Sequence, residues 1–373
     1  MQTKPTVVFS AVNLTEAGPL SIAKDAVLQF LQHCAGEYNL VLLAFDKKLY
    51  ANISGIEKAT IIEYRYPKRS WFFRIFFEYI HCYFISKKIK AFCWLALHDM
   101  TPWVSCARQA VYCHNPAIFY RLSLREARLE KSLVFFSAFY GFFYGFLLKR
   151  NKYVIVQQEW LRREFKNRFK ITNLVVAHPH INLPSISAQK EKIKNAKIKF
   201  FYPSLPRVFK NVEIILEAAS LLATDNLPFE IFITIDGTEN AYSKWLKKKY
   251  GHLTSVHFAG RQSRETIFKW YQEMDCLIFP SKLETWGLPI SEAKAYRKDM
   301  LLAALPYAWE TVGHYERACF FSPYDSLELA TLIKNYINRN LKFVTTPVQQ
   351  PKKPFVANWQ DLFNVVLKDQ YTT

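Results

Sequence analysis

Two carboxylates, Glu284 and Glu292, stand with seven residues between them in the stretch Leu283-Glu-Thr-Trp-Gly-Leu-Pro-Ile-Ser-Glu-Ala293. The stretch follows Cys276-Leu-Ile-Phe279, an apolar run of strand type. Pro289 suits the first turn of a helix, where its missing N–H costs nothing. Backbone amides around Gly287 to Ile290 then form an anion site at a helix start, able to hold a diphosphate. Carboxylates do not bind phosphates; they accept hydrogen bonds from hydroxyls. Hydroxyls at both ends with phosphate between them is the order of groups in a nucleotide sugar. Spacing alone equally allows Glu292 to complement the helix dipole and Glu284 to be a solvated loop residue.

Such groups need rigid elements to hold them. Short β-rich apolar runs alternate with segments of helical period, the pattern of βαβ units feeding parallel sheets. Strands are predicted over 7–11, 40–45, 60–64, 92–97, 110–113, 153–157 and 174–177. A second series covers 198–202, 229–235, 255–259, 276–279, 300–304 and 318–321. Between the two lies a polar, lysine-rich stretch from Pro184 to Lys197 that reads as a linker. With 373 residues the chain exceeds one ordinary core. The expected class is α/β with two domains, 1–190 and 191–355, and 356–373 forming a last helix, about Trp359 to Lys368, able to pack back on the first.

Lys plus Arg number 50 against 31 Asp plus Glu, a formal charge of +19. Such a balance points to an anionic partner: nucleic acid, phospholipid or a phosphorylated substrate. The seven cysteines are scattered, with no C-x-x-C spacing, which argues against a disulfide scaffold or zinc site and for a reducing cytoplasm. Met1-Gln-Thr-Lys-Pro5 runs directly into a strand-like segment, so export by a signal peptide is not expected.

The setting of the glutamate pair carries a family resemblance. Phe279-Pro-Ser281 through Glu284 to Glu292-Ala293, the segment Asp299 to Gly313 and the segment Phe320 to Ala330 together resemble retaining glycosyltransferases of the two-Rossmann-domain (GT-B) type, family 4, also called glycosyl transferases group 1. Val256 to Arg261, Ile235-Asp-Gly237 and Phe201 to Asn211 are similar to further segments of that family. The resemblance implies the GT-B fold, two Rossmann-like domains whose parallel sheets face across a cleft. It implies that Glu284 holds sugar hydroxyls, Glu292 the ribose, and Lys210 with Arg207 the donor diphosphate. Gly237, Arg261, Thr285, Trp286, Gly287 and Leu288 complete the donor site. In similar enzymes the cations stabilise charge on the departing nucleotide, work that other glycosyltransferases give to a metal. No metal and no cofactor besides the nucleotide diphosphate sugar co-substrate is therefore expected. Arg207 departs from the commoner arrangement, in which the Arg follows a Gly nearer the strand. Arg297 stands where relatives usually have Gly, which alters a turn rather than chemistry.

In the first domain, Gly18-Pro19 resembles the family's glycine-containing loop facing donor phosphates and acceptor, and His114, before Asn115-Pro116, resembles a strand-end His near the transferred sugar. His98-Asp99 is a second candidate. Val154 to Trp160 and His178-Pro-His180 match pre-linker segments. Two stretches speak to a partner. Tyr64 to Tyr79 interleaves cations with aromatics, and 132–148 is uncharged for 17 residues, short of the ~20 a spanning helix needs. A buried helix explains the second stretch; an aromatic, basic helix at an anionic membrane surface explains both.

The expected function is transfer of a sugar, with retained configuration, to a hydroxyl of a glycan or lipid-linked acceptor in bacterial polysaccharide or lipopolysaccharide synthesis. It would occur in the cytoplasm, peripheral on the inner face of the plasma membrane, without nucleic acid. Two alternatives stand beside it: a basic nucleic-acid-binding α/β protein, and a catalytically silent partner subunit.

Overall fold

The computed structural model describes residues 4–179, 197–347 and 349–371. Residues 184–196 of the expected linker, and His180, lie outside the described residues. Two compact units emerge: one comprises 1–119, 136–180 and 351–373, the other 120–135 and 181–350.

In the first unit, β1 (Thr6–Ala11), β2 (Asn39–Ala44), β3 (Ala59–Glu63), β4 (Ala91–Ala96), β5 (Arg108–Tyr112), β6 (Tyr153–Val156) and β7 (Leu174–Ala177) pair in parallel in the order β7-β6-β5-β4-β1-β2-β3. The two-residue strand Phe355–Val356 adds to β7 in parallel. A parallel sheet is covered on both faces, so its strands read as continuous apolar runs, and β6 and β7 are wholly buried. One face is covered by the helices Ala17–His33 and Trp359–Lys368. Rings of Phe9, Phe30 and Phe363 meet at 5.1 to 5.9 Å, and Trp359 Nε1 donates to Asp25 at 2.7 Å. The other face carries Phe77, Tyr140, Tyr144 and Phe165.

In the second unit, β8 (Ile198–Tyr202), β9 (Phe229–Ile233), β10 (Val256–Phe258), β11 (Cys276–Phe279), β12 (Asp299–Ala303) and β13 (Tyr315–Phe321) form a parallel sheet ordered β10-β9-β8-β11-β12-β13. An antiparallel strand, β14 (Val344–Thr346), closes the edge on β13. Each unit thus reverses strand order once, between β1 and β4 and between β8 and β11. Ligands of open α/β sheets bind beyond the carboxyl ends of strands at such a switch point. The expected site segments follow β8, β9, β10 and β11 in the second unit, and β1, β4 and β5 in the first.

Candidate active site

At the second unit's switch point, Ser281 is fully buried after β11. Its hydroxyl is shared between the carbonyls of Phe209 (3.3 Å) and Leu283 (3.1 Å), and the Lys282 N–H donates to Phe209 O at 2.7 Å. Asn211, buried and left-handed at φ +56, donates to the carbonyls of Pro280 (3.2 Å) and Pro323 (2.8 Å). The turn after β8 is thereby stitched to the exit of β11. That stitching brings Lys210 Nζ to 2.5 Å from Glu284 Oε1, and both side chains keep some exposure.

Gly287 then turns the chain into the helix Leu288–Ala295 with φ +86, a conformation that costs glycine nothing. A Cβ there would meet Ile290 at 3.3 Å and Phe279 at 3.4 Å. Pro289 is the second helical residue rather than the first, and the Ile290 N–H donates to Gly287 O. Pro289 and Ile290 therefore supply no free amide to an anion at this turn. Trp286 is buried, its Nε1 donating to Ser291 at 2.9 Å, and Thr311 donates to its carbonyl; it braces the loop. Thr285 and Leu288 lie half-buried in the same loop.

Glu292, 2% exposed, is held by Arg264 Nη2 at 2.5 Å. Arg261, expected in the donor site, is exposed on the turn after Gly260. Arg264 opens the next helix, Arg264–Glu273, and no local signal announces its reach to Glu292. Gly237 is also left-handed, at φ +95, and its added Cβ would strike Lys247 at 2.5 Å. The amides of Asp236 and Gly237 both donate to Glu239, at 2.8 and 3.0 Å, so this loop satisfies its own donors. Arg207 pairs with Glu130 at 2.6 Å, a partner that sequence reasoning missed. Arg297 takes φ +53, so the turn keeps a glycine-type conformation with an arginine in it.

In the first unit, His114 is buried after β5, its ring 4.7 Å from that of Tyr112. Neither ring nitrogen has a well-formed hydrogen bond, and burial lowers the imidazole pKa against the opposing pull of Asp99. Asp99, left-handed at φ +69, accepts from the N–H groups of His114 (2.5 Å) and Asn115 (3.0 Å) and from Tyr144 Oη (3.0 Å). It shapes the turn that presents His114. His98 is committed elsewhere, to Ser10 (2.9 Å) and Arg74 (2.8 Å), with Glu78 bound to Arg74 at 2.9 Å. Gly18 and Pro19 fall inside the first turn of Ala17–His33 rather than in a loop, because a first-turn proline has no helical hydrogen bond to lose.

The helical run Lys131–Arg150 spans 20 residues and is long and apolar enough to cross a membrane by length and composition. Tyr140, Tyr144 and Leu148 on it are core, whereas Phe139, Phe142 and Phe146 are exposed.

Residues 184–347 match the sequence model of the family described as Glycosyl transferases group 1. Among solved structures, the chain is similar to a glycosyltransferase from Rickettsia africae (16% identity, TM-score 0.60, 90% of this chain and 88% of that one). It is similar to the lipopolysaccharide outer core galactosyltransferase WaaB (11%, 0.60, 99% and 96%) and to Anabaena HepE in complex with UDP and glucose (15%, 0.58, 90% and 89%). It is also 26% identical over 119 residues to N-acetyl-gamma-glutamyl-phosphate reductase of Staphylococcus epidermidis, 32% of this chain and 34% of that protein. The chain thus spans about a third of the length of that curated relative. The architecture is the GT-B fold, two Rossmann-like units, and residues 184–347 match the Glycosyl transferases group 1 model.

Proposed function

We propose that this protein is a retaining glycosyltransferase of family 4 type, moving a sugar from a nucleotide diphosphate sugar to a hydroxyl of a glycan or lipid-linked acceptor. The observation that carries the reading is the contact of Lys210 with Glu284 beside the left-handed Gly287, within a matched group 1 domain. A cation for a diphosphate and a carboxylate for the adjoining sugar converge there. HepE holds UDP and glucose in its crystal structure, which supports a nucleotide sugar as the donor here.

In this reading Lys210 and Arg207 take the diphosphate and stabilise the charge that grows on the leaving nucleotide. Glu284 turns from Lys210 to the sugar hydroxyls, and Glu292 accepts from the ribose while Arg264 holds it in place. Neither glutamate acts as nucleophile or general acid. His114, neutral near pH 7 because burial disfavours its charged form, takes a hydrogen bond to the transferred sugar. The chemistry needs no metal in this scheme. A thermal-shift comparison of UDP, GDP and a short oligonucleotide tests the donor class, followed by mass spectrometry of products. Stabilisation by the oligonucleotide alone would sink the reading in favour of a nucleic-acid-binding protein.

The partner surface follows from the first unit. Trp71 packs on Tyr140 (5.6 Å) and Phe143 (6.3 Å), and Tyr79 on Phe146 (5.1 Å), so two helical segments lie side by side. Their outer faces expose Phe72, Phe76, Ile80, Phe84, Phe139 and Phe142. Lys68, Arg69, Lys87, Lys88, Lys149 and Arg150 are exposed around them. Aromatic rings flanked by cations suit the headgroup region of an anionic bilayer. We assign the protein to the cytoplasmic face of the plasma membrane, working on a lipid-linked acceptor in bacterial polysaccharide or lipopolysaccharide assembly. Flotation with anionic and neutral vesicles tests this; equal recovery on both would count against it.

A further inference from the structure

Three carboxylates hold the cations around the second unit's switch point: Glu284 on Lys210, Glu292 on Arg264 and Glu130 on Arg207. A nucleotide diphosphate sugar offers new partners to two of them, sugar hydroxyls to Glu284 and the ribose to Glu292. Glu130 is left with no ligand group to accept from. Its carboxylate is paired with Arg207 by charge, without a well-formed hydrogen bond from Nε. One oxygen lies 2.6 Å from Arg207 Nε, and the other takes the Val208 N–H at 3.0 Å.

Glu130 arrives there on residues 120–135, which precede the second sheet in sequence but belong to the second unit. The segment is well built. Ser123 and Glu126 form a reciprocal capping box on the helix Leu124–Leu129. Glu126 pairs with Lys282 at 3.2 Å, Arg125 with Glu213 at 2.9 Å, and the Tyr120 ring meets Phe209 edge-on at 6.0 Å. Phe209 lies between Arg207 and Lys210 in the chain, and both cations sit 5.7 Å from its ring centroid. The whole segment is therefore anchored around the turn assigned to the diphosphate.

We propose that residues 120–135 form an internal anionic plug of the diphosphate site. Glu130 pairs with Arg207 and leaves it when a nucleoside diphosphate binds, so that donor binding and release of the segment are coupled. The inference rests on the donor-site reading above. Arg207 is 41% exposed, so water weakens its pairing with Glu130 and a diphosphate can displace it. Because carboxylate and diphosphate compete for the same guanidinium, the plug lowers donor affinity by the fraction of time it is seated.

Calorimetric titration of UDP and GDP into the full chain tests this, comparing the wild type with Glu130→Gln. The variant keeps an acceptor for the Val208 N–H and removes the competing charge. Binding about two- to five-fold tighter is expected. Arg125→Ala loosens the segment at Glu213 without touching Arg207, and it too should tighten binding. In the wild type, saturating nucleotide should speed amide hydrogen exchange across 124–130. Unchanged or weaker binding in both variants, or slowed exchange in the segment, overturns the plug. Nucleotide binding that ignores the variants overturns the plug alone, whereas binding of neither nucleotide to any of the proteins overturns the donor site with it.

Discussion

Lys210 Nζ lies 2.5 Å from Glu284 Oε1, across 74 positions of sequence, joining the turn after β8 to the exit of β11. The pair satisfies both charges, and in the proposed reading a diphosphate beside a sugar would take the place of each partner for the other.

Glu284→Ala is expected to lower turnover about 100-fold or more while the protein stays folded by circular dichroism. Lys210→Ala should weaken UDP or GDP binding by about 1.5–3 kcal/mol, the worth of a hydrogen bond to a charged group. Wild-type turnover by the Glu284 variant would remove it from the site.

Glu292 and Arg264 should separate from Glu284 in their kinetics. Arg264 is 57% exposed, so Arg264→Ala leaves the fold intact but frees the buried Glu292 carboxylate from its partner. The expected result is a raised KM for the nucleotide sugar with kcat changed far less, because ribose binding is common to ground and transition states. A fall in kcat with KM unaltered would place Glu292 at the reacting sugar instead.

Gly287→Ala forces a Cβ into a left-handed turn already touching Ile290 and Phe279. A cost of about 1–2 kcal/mol in stability is expected from the backbone alone. Activity should fall further than stability, since the turn places Glu284, the Leu288 amide and Glu292 together. Thermal unfolding and turnover of the same preparation check the two effects.

The buried cluster of the first unit sets an opposed pair of pH effects. Burial pushes the Glu78 carboxyl up to about 7, with Arg74 opposing, so between its ordinary 4.5 and 7 the folded state keeps a proton the unfolded state has lost. That contribution to stability is present at low pH and is lost as pH rises through the window. Burial and the Arg74 charge hold His98 well below its ordinary 6.5, so its contribution is present above 6.5 and is lost as pH falls. The two oppose each other in the wild type. Glu78→Gln removes the first, and urea unfolding should then show a steeper loss of stability from pH 7 to pH 5. An unchanged pH profile would show that Glu78 is ionised throughout.

Phe72 and Phe142 are 72% and 69% exposed, so Phe72→Ser and Phe142→Ser should change stability by no more than about 0.5 kcal/mol. Each loses a ring worth about 1.5–3 kcal/mol of burial in a bilayer interface. Retention on anionic vesicles should drop roughly ten-fold per substitution, with nucleotide binding unchanged.

Every predicted strand corresponds to an observed one to within a few residues at its ends, and the helix Trp359–Lys368 matches to the residue. Parallel strands buried on both faces leave long apolar runs that local patterning shows directly. The edge strand Val344–Thr346, the pair Phe355–Val356 and the π-helical turn Phe77–His81 left no such trace. Each is only two to five residues long, and its conformation is set by what it packs against.

The site divides along the same line. Glu284, Gly287 and Glu292 are legible because a strand exit, a left-handed turn and a helix start are local events with local residue requirements. Which cation meets which carboxylate is not local. Arg264 reaches Glu292, and Glu130 reaches Arg207. The aromatic helix is a similar case: Tyr140 and Tyr144 are core while Phe139 and Phe142 face outward, yet all are aromatic, so periodicity carried no record of the two faces. Sequence by itself determined the positions of the strands along the chain, the turn chemistry and the residue types of the site, because backbone preference and hydrophobic period act over a few residues. Tertiary structure alone decided the charge pairing and the exposed face, because both depend on segments that only folding brings within a few ångströms of one another.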